Sequence, residues 1–289
     1  MQAAPSYKLV QLRNGTHAVY SAAYDEKMHP GPGPAAEAEA VYVRQLKIRE
    51  RLCAGEDEFV VWDVGLGAAA NAVTLLRLTR DLPCPVRLVS FDDTAGALEF
   101  ALQNGAALEY LAGYEAPIAE LLKSGSVNFR DQAHQVNWQF ERSDFPSWVG
   151  QNRGHTPQAI MFDAFSPARN PVMWTLPLFT NLFRQLDPQR PCNLTTYSRS
   201  TMLRVTLLLA GFFVGRGVAT GLKEETTVAA NSLALLDEPL DCRWLERVRR
   251  SDSAEPLHEP VYRQARLSAD SLLTLERHPQ FCQSVPEPK

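Results

Sequence analysis

Cysteine is sparse and unpatterned in this 289-residue chain: Cys53, Cys84, Cys192, Cys242 and Cys282 lie far apart, with no C-x-x-C and no spacing suited to zinc. That excludes a disulfide-framed secreted scaffold and a zinc site, and fits reduced thiols in a cytoplasmic protein that binds no metal. No apolar run approaches the ~20 residues that cross a bilayer. The opening MQAAPSYKLV also lacks the charged-then-apolar pattern of a secretory signal. A soluble protein with no membrane partner is expected. A basic excess is absent too: 29 Lys and Arg stand against 33 Asp and Glu, a net charge of −4. This excludes a surface built throughout for nucleic acid but leaves room for a local basic patch. Arg243, Arg247 and Arg250 would share a face if that segment is helical, although an ordinary solvated face with Glu246 interleaved is the plainer reading. No internal repeat is present.

What is present is a 45% hydrophobic chain of a length suited to one α/β domain with appendages. Short apolar runs at 59–64, 86–91, 136–142, 159–163, 192–197, 212–218 and 227–236 alternate with helical stretches, the signature of βαβ units. The last two, joined only by a loop, are expected to pair antiparallel. Asn14-Gly15 between two apolar runs signals an N-terminal hairpin. HPGPGP at 29–34 reads as a rigid loop and 35–52 as a helix. Residues 1–52 are therefore read as hairpin and helix, 53–236 as the main domain, and 237–289 as a charged, proline-punctuated extension.

Three strand ends carry the chemistry. FVVWD at 59–63 runs into Gly65 and Gly67 and then into a helix-compatible stretch. Strand, glycine turn, helix brings backbone N–H groups and a helix N-terminus to a nucleotide, and a Cβ would hinder both turn and approach. The next strand ends in Asp92 and Asp93, placed to accept hydrogen bonds from ribose hydroxyls. Asp144, after the third strand, could accept from an adenine amino group or cap the helix that Pro146 enters. AIMFDAFSPARNPVMW at 159–174 is an apolar run that stops at Asp163, where the carboxyl end of a buried parallel strand opens into a pocket.

The glycine turn fits two cofactors. GLGAAA matches a loose dinucleotide pattern, G-x-G-x-x-A, and also the D-x-G-x-G opening of S-adenosylmethionine-dependent methyltransferases. Asp63 decides between them, because a carboxylate is repelled by a diphosphate and attracted by a sulfonium or ammonium. S-Adenosyl-L-methionine is the expected cofactor.

These residues carry a family resemblance. FDAFSPARNPVMWTLPLF at 162–179 resembles the D-G-F-A-P-x-x-N-P-x-M-W-x-x-x-L-F block of the methyltransferase domain of MnmC-type tRNA wobble-uridine modification enzymes. VGLGAAAN is similar to that family's G-F-G-T-G-x-N loop, down to Asn71, and SFDD stands in place of its S-F-E. TYSRSTMLRVTLLLAGF at 196–212 resembles its T-Y-S/T…A-G-F helix, and Lys223 sits where a G-x-K-R-E-like loop is usual. The departures are Ala69 for the third loop glycine, Asp63 for a longer Glu, and Glu224 for Arg. The resemblance spans roughly residues 7–236. It implies a Rossmann-like class I methyltransferase with a seven-stranded, mostly parallel sheet. It also implies tRNA as partner and methylation of 5-aminomethyl(-2-thio)uridine at the wobble position. The family also occurs fused to an FAD-dependent oxidase domain; at this length a stand-alone form, with a separate oxidase acting upstream, is expected.

On this reading Asp163 is the catalytic residue, holding the acceptor amine and stabilising the ammonium that forms. Asp63, Gly65, Gly67, Asn71, Asp92 and Asp144 bind cofactor, while Phe165, Pro167, Tyr197 and Lys223 face the substrate. Met173 and Trp174 are read as packing, and His29 as a loop residue that either closes over the cofactor or is merely exposed. Whether Asp163 itself takes the proton stays open at this level. Two rivals also remain: an aminopropyltransferase of the same fold, and a non-catalytic cofactor- or RNA-binding module.

Overall fold

Phe59–Val64 (β4) is buried at all six positions, so it can only be a central strand covered on both faces. In the computed structural model, which describes residues 6–54, 57–151, 156–220 and 224–282, its side chains alternate between two cores. Val60, Trp62 and Val64 point into one and Phe59 and Val61 into the other. Val86–Asp92 (β5) and Ala159–Phe162 (β8) divide the same way: Val89, Phe91, Ile160 and Phe162 on one face, Val86, Leu88, Ala159 and Met161 on the other. Each such buried large side chain contributes about 1.5–3 kcal/mol.

His134–Arg142 (β7) and Asn193–Thr196 (β9) complete five parallel strands, in the order β9-β8-β4-β5-β7. Phe213–Gly217 (β10) and Thr226–Ala230 (β11) form the expected antiparallel pair and join through β11 to β9. The sheet has eight strands rather than the expected seven. Ser126–Asp131 (β6) pairs antiparallel with β7 at the far edge. Its sequence, SVNFRD, alternates between half-buried and exposed and so lacks the apolar run that marks its neighbours. The last strand also stops at Ala230; the 231–236 stretch instead includes a 3-10 turn at Leu233–Leu235.

The hairpin at Asn14-Gly15 forms, pairing Tyr7–Gln11 (β1) with His17–Ser21 (β2), and Glu26–Lys27 (β3) adds a third strand. The single helix expected at 35–52 is instead three pieces. An α-turn at Pro34–Glu37 runs into a π-helix at Ala38–Arg44, and Lys47, at φ 52°, breaks the chain before the helix Ile48–Ala54. Beyond residue 237, Asp241 caps the helix Cys242–Val248 and Ser268 caps Ala269–Glu276. Leu240, Trp244, Val248, Leu275 and Phe281 enter the same core as Trp62, so the extension wraps the sheet.

Successive units β4, β5 and β7 step one way across the sheet and β8 returns to the other side of β4. The crevice at the carboxyl ends of β4 and β8 is therefore the switch point where open α/β sheets bind ligands.

Candidate active site

At that crevice lies a cavity of about 540 Å³. The glycine turn after β4 forms its floor. Gly65 adopts φ 93°, and a Cβ there would sit 2.6 Å from the Asp163 carbonyl oxygen, so only glycine lets the two strand ends meet. Gly67 (φ 50°) donates its N–H to Asp92 Oδ2 at 2.9 Å, and the helix Ala70–Thr79 follows. Ala69, where the resemblance expects glycine, keeps the left-handed conformation at φ 61°.

Asp92 closes the turn from β5, its Oδ1 accepting from Thr94 N–H at 3.2 Å. Burial pushes its carboxyl up to about 6; the two N–H bonds oppose this and the neighbouring Asp93 adds to it. Asp92, Asp93 and Asp144 all line the cavity. Asp144 is also the cap of the helix Phe145–Gly150, accepting from Ser147 N–H at 3.1 Å, so both of its expected roles are available to it.

Asp63 is fully buried and is not among the residues lining the cavity. Ser90 Oγ donates to its Oδ2 at 2.8 Å and itself accepts from Trp138 Nε1 at 2.9 Å. Oδ1 has no partner, and burial pushes the carboxyl up to about 8. Asn71 Oδ1 is a second buried acceptor without a partner. Neither Asp63 nor Asn71 lines the cavity, so the acceptor that the cavity itself offers beside the glycine turn is Asp92, which suits the hydroxyl donors of a ribose such as that of S-adenosyl-L-methionine.

Asp163 stands beside the turn, directly after β8. Its Oδ1 accepts from Tyr42 Oη at 2.6 Å, its Oδ2 from Asn71 Nδ2 at 2.8 Å, and His29 Nε2 lies 3.3 Å from Oδ2. The carboxylate keeps 14% of its surface accessible, and it and His29 both line the cavity. Burial, then the charge of Asp163, push the Tyr42 hydroxyl far above its ordinary value, so it stays a neutral donor. Tyr197 lines the same end, donates to Ala164 O at 3.0 Å, and is raised by burial in the same way. Tyr197 also feels Asp163, Glu26 and Glu37, which places three carboxylates around this end of the cavity.

Phe165 lines the cavity and stacks on Tyr24 at 4.2 Å between ring centroids. Pro167 is half-buried and is not among the lining residues. Lys223 lies outside the described residues. Trp174 is fully buried and donates Nε1 to Phe165 O at 2.7 Å, stapling the loop as expected. The hairpin supplies a wall that sequence reading did not assign to the site, including Tyr7, Tyr24, Glu26 and Met28. Ser166 donates N–H and Oγ to Glu26, and Arg169 pairs with Asp25 at 2.8 Å, pinning this wall to the Asp163 loop. Tyr42 and Glu37 were also missed as site residues. A lone tyrosine in an apolar helical stretch carries no signal of a partner 121 positions away.

A family model described as S-adenosyl-L-methionine-dependent methyltransferase matches residues 120–232. The chain is 27% identical over 241 residues to the tRNA 5-methylaminomethyl-2-thiouridine biosynthesis bifunctional protein MnmC of Cupriavidus necator, covering 79% of this chain and 36% of that protein. To its namesake in Pseudomonas entomophila it is 28% identical over 200 residues, 64% of this chain and 29% of the other. It thus spans about a third of the length of the curated relatives it matches. The crystal structure of MNMC2 from Aquifex aeolicus superposes with a TM-score of 0.66 at 20% identity, covering 95% of this chain and 84% of that one, a likeness of fold. These findings agree on an MnmC-like domain with the Rossmann-like methyltransferase fold and S-adenosyl-L-methionine as its cofactor. Among the described residues no helix is long and apolar enough to cross a membrane, and no group of three or more His, Cys, Asp or Glu could hold a metal ion.

Proposed function

We propose that this protein is an S-adenosyl-L-methionine-dependent N-methyltransferase that converts 5-aminomethyl(-2-thio)uridine to 5-methylaminomethyl(-2-thio)uridine at the wobble position of tRNA, in the cytoplasm. The observation that carries the reading is Asp163, a partly accessible carboxylate fixed by Tyr42, Asn71 and His29 beside the glycine turn. The relatives named for 5-methylaminomethyl-2-thiouridine biosynthesis support the choice of acceptor.

When bound, S-adenosyl-L-methionine supplies a methyl group activated by a sulfonium. Asp92 and the backbone of the glycine turn would hold its ribose and methionine ends, with Asp144 at the adenine, while Asp63 and Asn71, buried behind the turn and off the cavity surface, would shape the site without touching the cofactor. Asp163 is an acceptor-only group, so it suits a cationic nitrogen and stabilises the positive charge that persists through transfer. The hydrogen bonds to it are in place beforehand, so it needs no reorganisation when charge develops. Phe165 and Tyr197 flank the acceptor side, and Lys223 is proposed to meet the nucleotide. The amine itself would come from an FAD-dependent oxidase acting upstream.

The test is methylation of tRNA that carries 5-aminomethyl-2-thiouridine, followed by nucleoside mass spectrometry. A gain of one methyl on that nucleoside supports the reading; an unchanged nucleoside with bound cofactor overturns it. The three carboxylates around the acceptor end favour one second reading, aminopropyl transfer to a polyamine. Production of a longer polyamine from decarboxylated cofactor, with no tRNA methylation, would replace the first reading with the second.

A further inference from the structure

The acceptor amine is an ammonium at neutral pH and has no lone pair until a proton leaves it. Asp163 is poorly placed to take that proton. Tyr42, Asn71 and His29 occupy three of the roughly four acceptor positions a carboxylate offers. The one remaining is needed to hold the amine.

His29 stands beside it. Its side chain is 9% exposed, it lines the cavity, and its Nε2 faces Asp163 Oδ2 at 3.3 Å. The backbone marks the residue as well. His29 adopts φ 51° directly before Pro30, in a region that is uncommon for non-glycine residues and is disfavoured further by a following proline. Strained conformations of this kind persist where surrounding structure enforces them, and they concentrate at functional sites. Here the enforcing structure is the Met28–Pro32 turn held over the glycine floor, with Met28 Sδ 3.2 Å from where a Gly67 Cβ would stand.

We propose that His29 accepts the proton of the substrate ammonium while Asp163 orients the ring, an inference that rests on the methyltransferase reading above. Nε2–H donates to Asp163, leaving Nδ1 as the basic nitrogen. The ammonium N–H bond breaks, its electron pair stays on nitrogen as the nucleophilic lone pair, and the proton bonds to Nδ1. The imidazolium formed is stabilised by Asp163 and releases its proton to water before the next turnover. The other titratable groups around this end are Glu37 from the turn before the π-helix, Glu26 from β3, Tyr42 from the π-helix and Tyr197 beyond β9. Both tyrosines stay neutral.

The experiment is His29→Asn, because asparagine tolerates a positive φ and cannot take the proton, with His29→Gln as a second variant. Single-turnover methylation of aminomethyl-uridine tRNA is measured from pH 7 to 9, with and without added imidazole. Cofactor and tRNA affinities are measured by calorimetry on the same proteins. Wild type should be nearly flat over this range, because the proton moves within the complex. The variants should be slower by about 100-fold or more at pH 7. Their rates should climb about tenfold per pH unit as water removes the proton instead, and imidazole should rescue them, while both affinities stay within a few-fold. A deficit equal at every pH and unrescued by imidazole would overturn the proposal and make His29 structural. So would unimpaired variants beside an active wild type. A wild type that binds cofactor and methylates no such tRNA refutes the functional reading itself, and the proton step falls with it.

Discussion

Replacing Asp63 by Asn should make the protein less stable in acid and more stable at neutral pH. Asp63 is fully buried, and its carboxyl titrates near 8 instead of near 3.8 because burial penalises the charged form. Between those values the folded protein keeps a proton that the unfolded chain has lost. Stability is therefore full below pH 4 and declines as pH rises towards 8. Each pH unit in that window costs about 1.4 kcal/mol, so by pH 7 the deficit is about 4 kcal/mol. Asn escapes this term entirely and can still accept from Ser90 Oγ. It introduces an amide donor where Oδ1 now has no partner, which costs about 1–3 kcal/mol at every pH. The variant should thus be weaker by about 1–3 kcal/mol near pH 4 and stronger by a similar amount at pH 7, with the curves crossing between roughly pH 4.5 and 6. Urea unfolding of the cofactor-free proteins across pH 4.5–8 measures the difference directly. The raised carboxyl of Asp92 slopes the same way in both proteins and cancels. A difference that is constant with pH would show that Asp63 is not held protonated, and the argument from burial would fail.

Three further outcomes follow from the same geometry. Asp163→Asn removes the charge and sets an amide donor against Tyr42 or Asn71; methyl transfer should fall by about two to four orders of magnitude while calorimetric cofactor affinity changes much less, and near-normal turnover would reduce Asp163 to shaping the loop. Gly65→Val should abolish cofactor binding, because its Cβ would meet the Asp163 carbonyl at 2.6 Å and β-branched residues reject a positive φ; normal binding would move the nucleotide elsewhere. Asp92→Asn should flatten the pH dependence of cofactor affinity, which in wild type should weaken as pH falls through about 6 and the carboxylate loses its charge; the same slope in both proteins would take Asp92 out of the ribose site.

Much of this was legible in the chain. Buried parallel strands announce themselves as unbroken apolar runs, and a run that ends at a carboxylate or a glycine pair announces a crevice, so β4, β5 and β8 and the acids at their ends could be read directly. The Ser126–Asp131 strand could not, because an edge strand half open to water needs no apolar run. Asp63 is adjacent in sequence to the glycine turn, yet its side chain turns inward to Ser90, a direction that strand alternation sets and motif matching ignores. Tyr42 and Glu37 were invisible for a different reason. Their meaning comes from a partner brought near by folding, and a π-helix, which shifts the facing of every residue after it, has no sequence pattern that could have been followed. His29 reads in the sequence as a loop residue that either closes over the cofactor or is merely exposed. Its positive φ and its contact with Asp163 exist only in three dimensions.

The hairpin pinned to the Asp163 loop by Glu26 and Asp25 gives the molecule two different kinds of completeness. The eight-stranded sheet pairs without residues 6–33, whose strands form a sheet of their own, although Val19 of that segment enters one of its cores. The reaction chamber is not finished until that segment arrives, since it brings His29, Tyr24 and Glu26 to one wall. On the proposed reading, the glycine turn and the strand-end acids that would hold the cofactor belong to the large sheet, while part of the acceptor wall comes from the separate hairpin sheet. Two proteins sharing this sheet could keep the same cofactor and differ wholly in what they modify, with the difference concentrated in about thirty residues ahead of the first central strand.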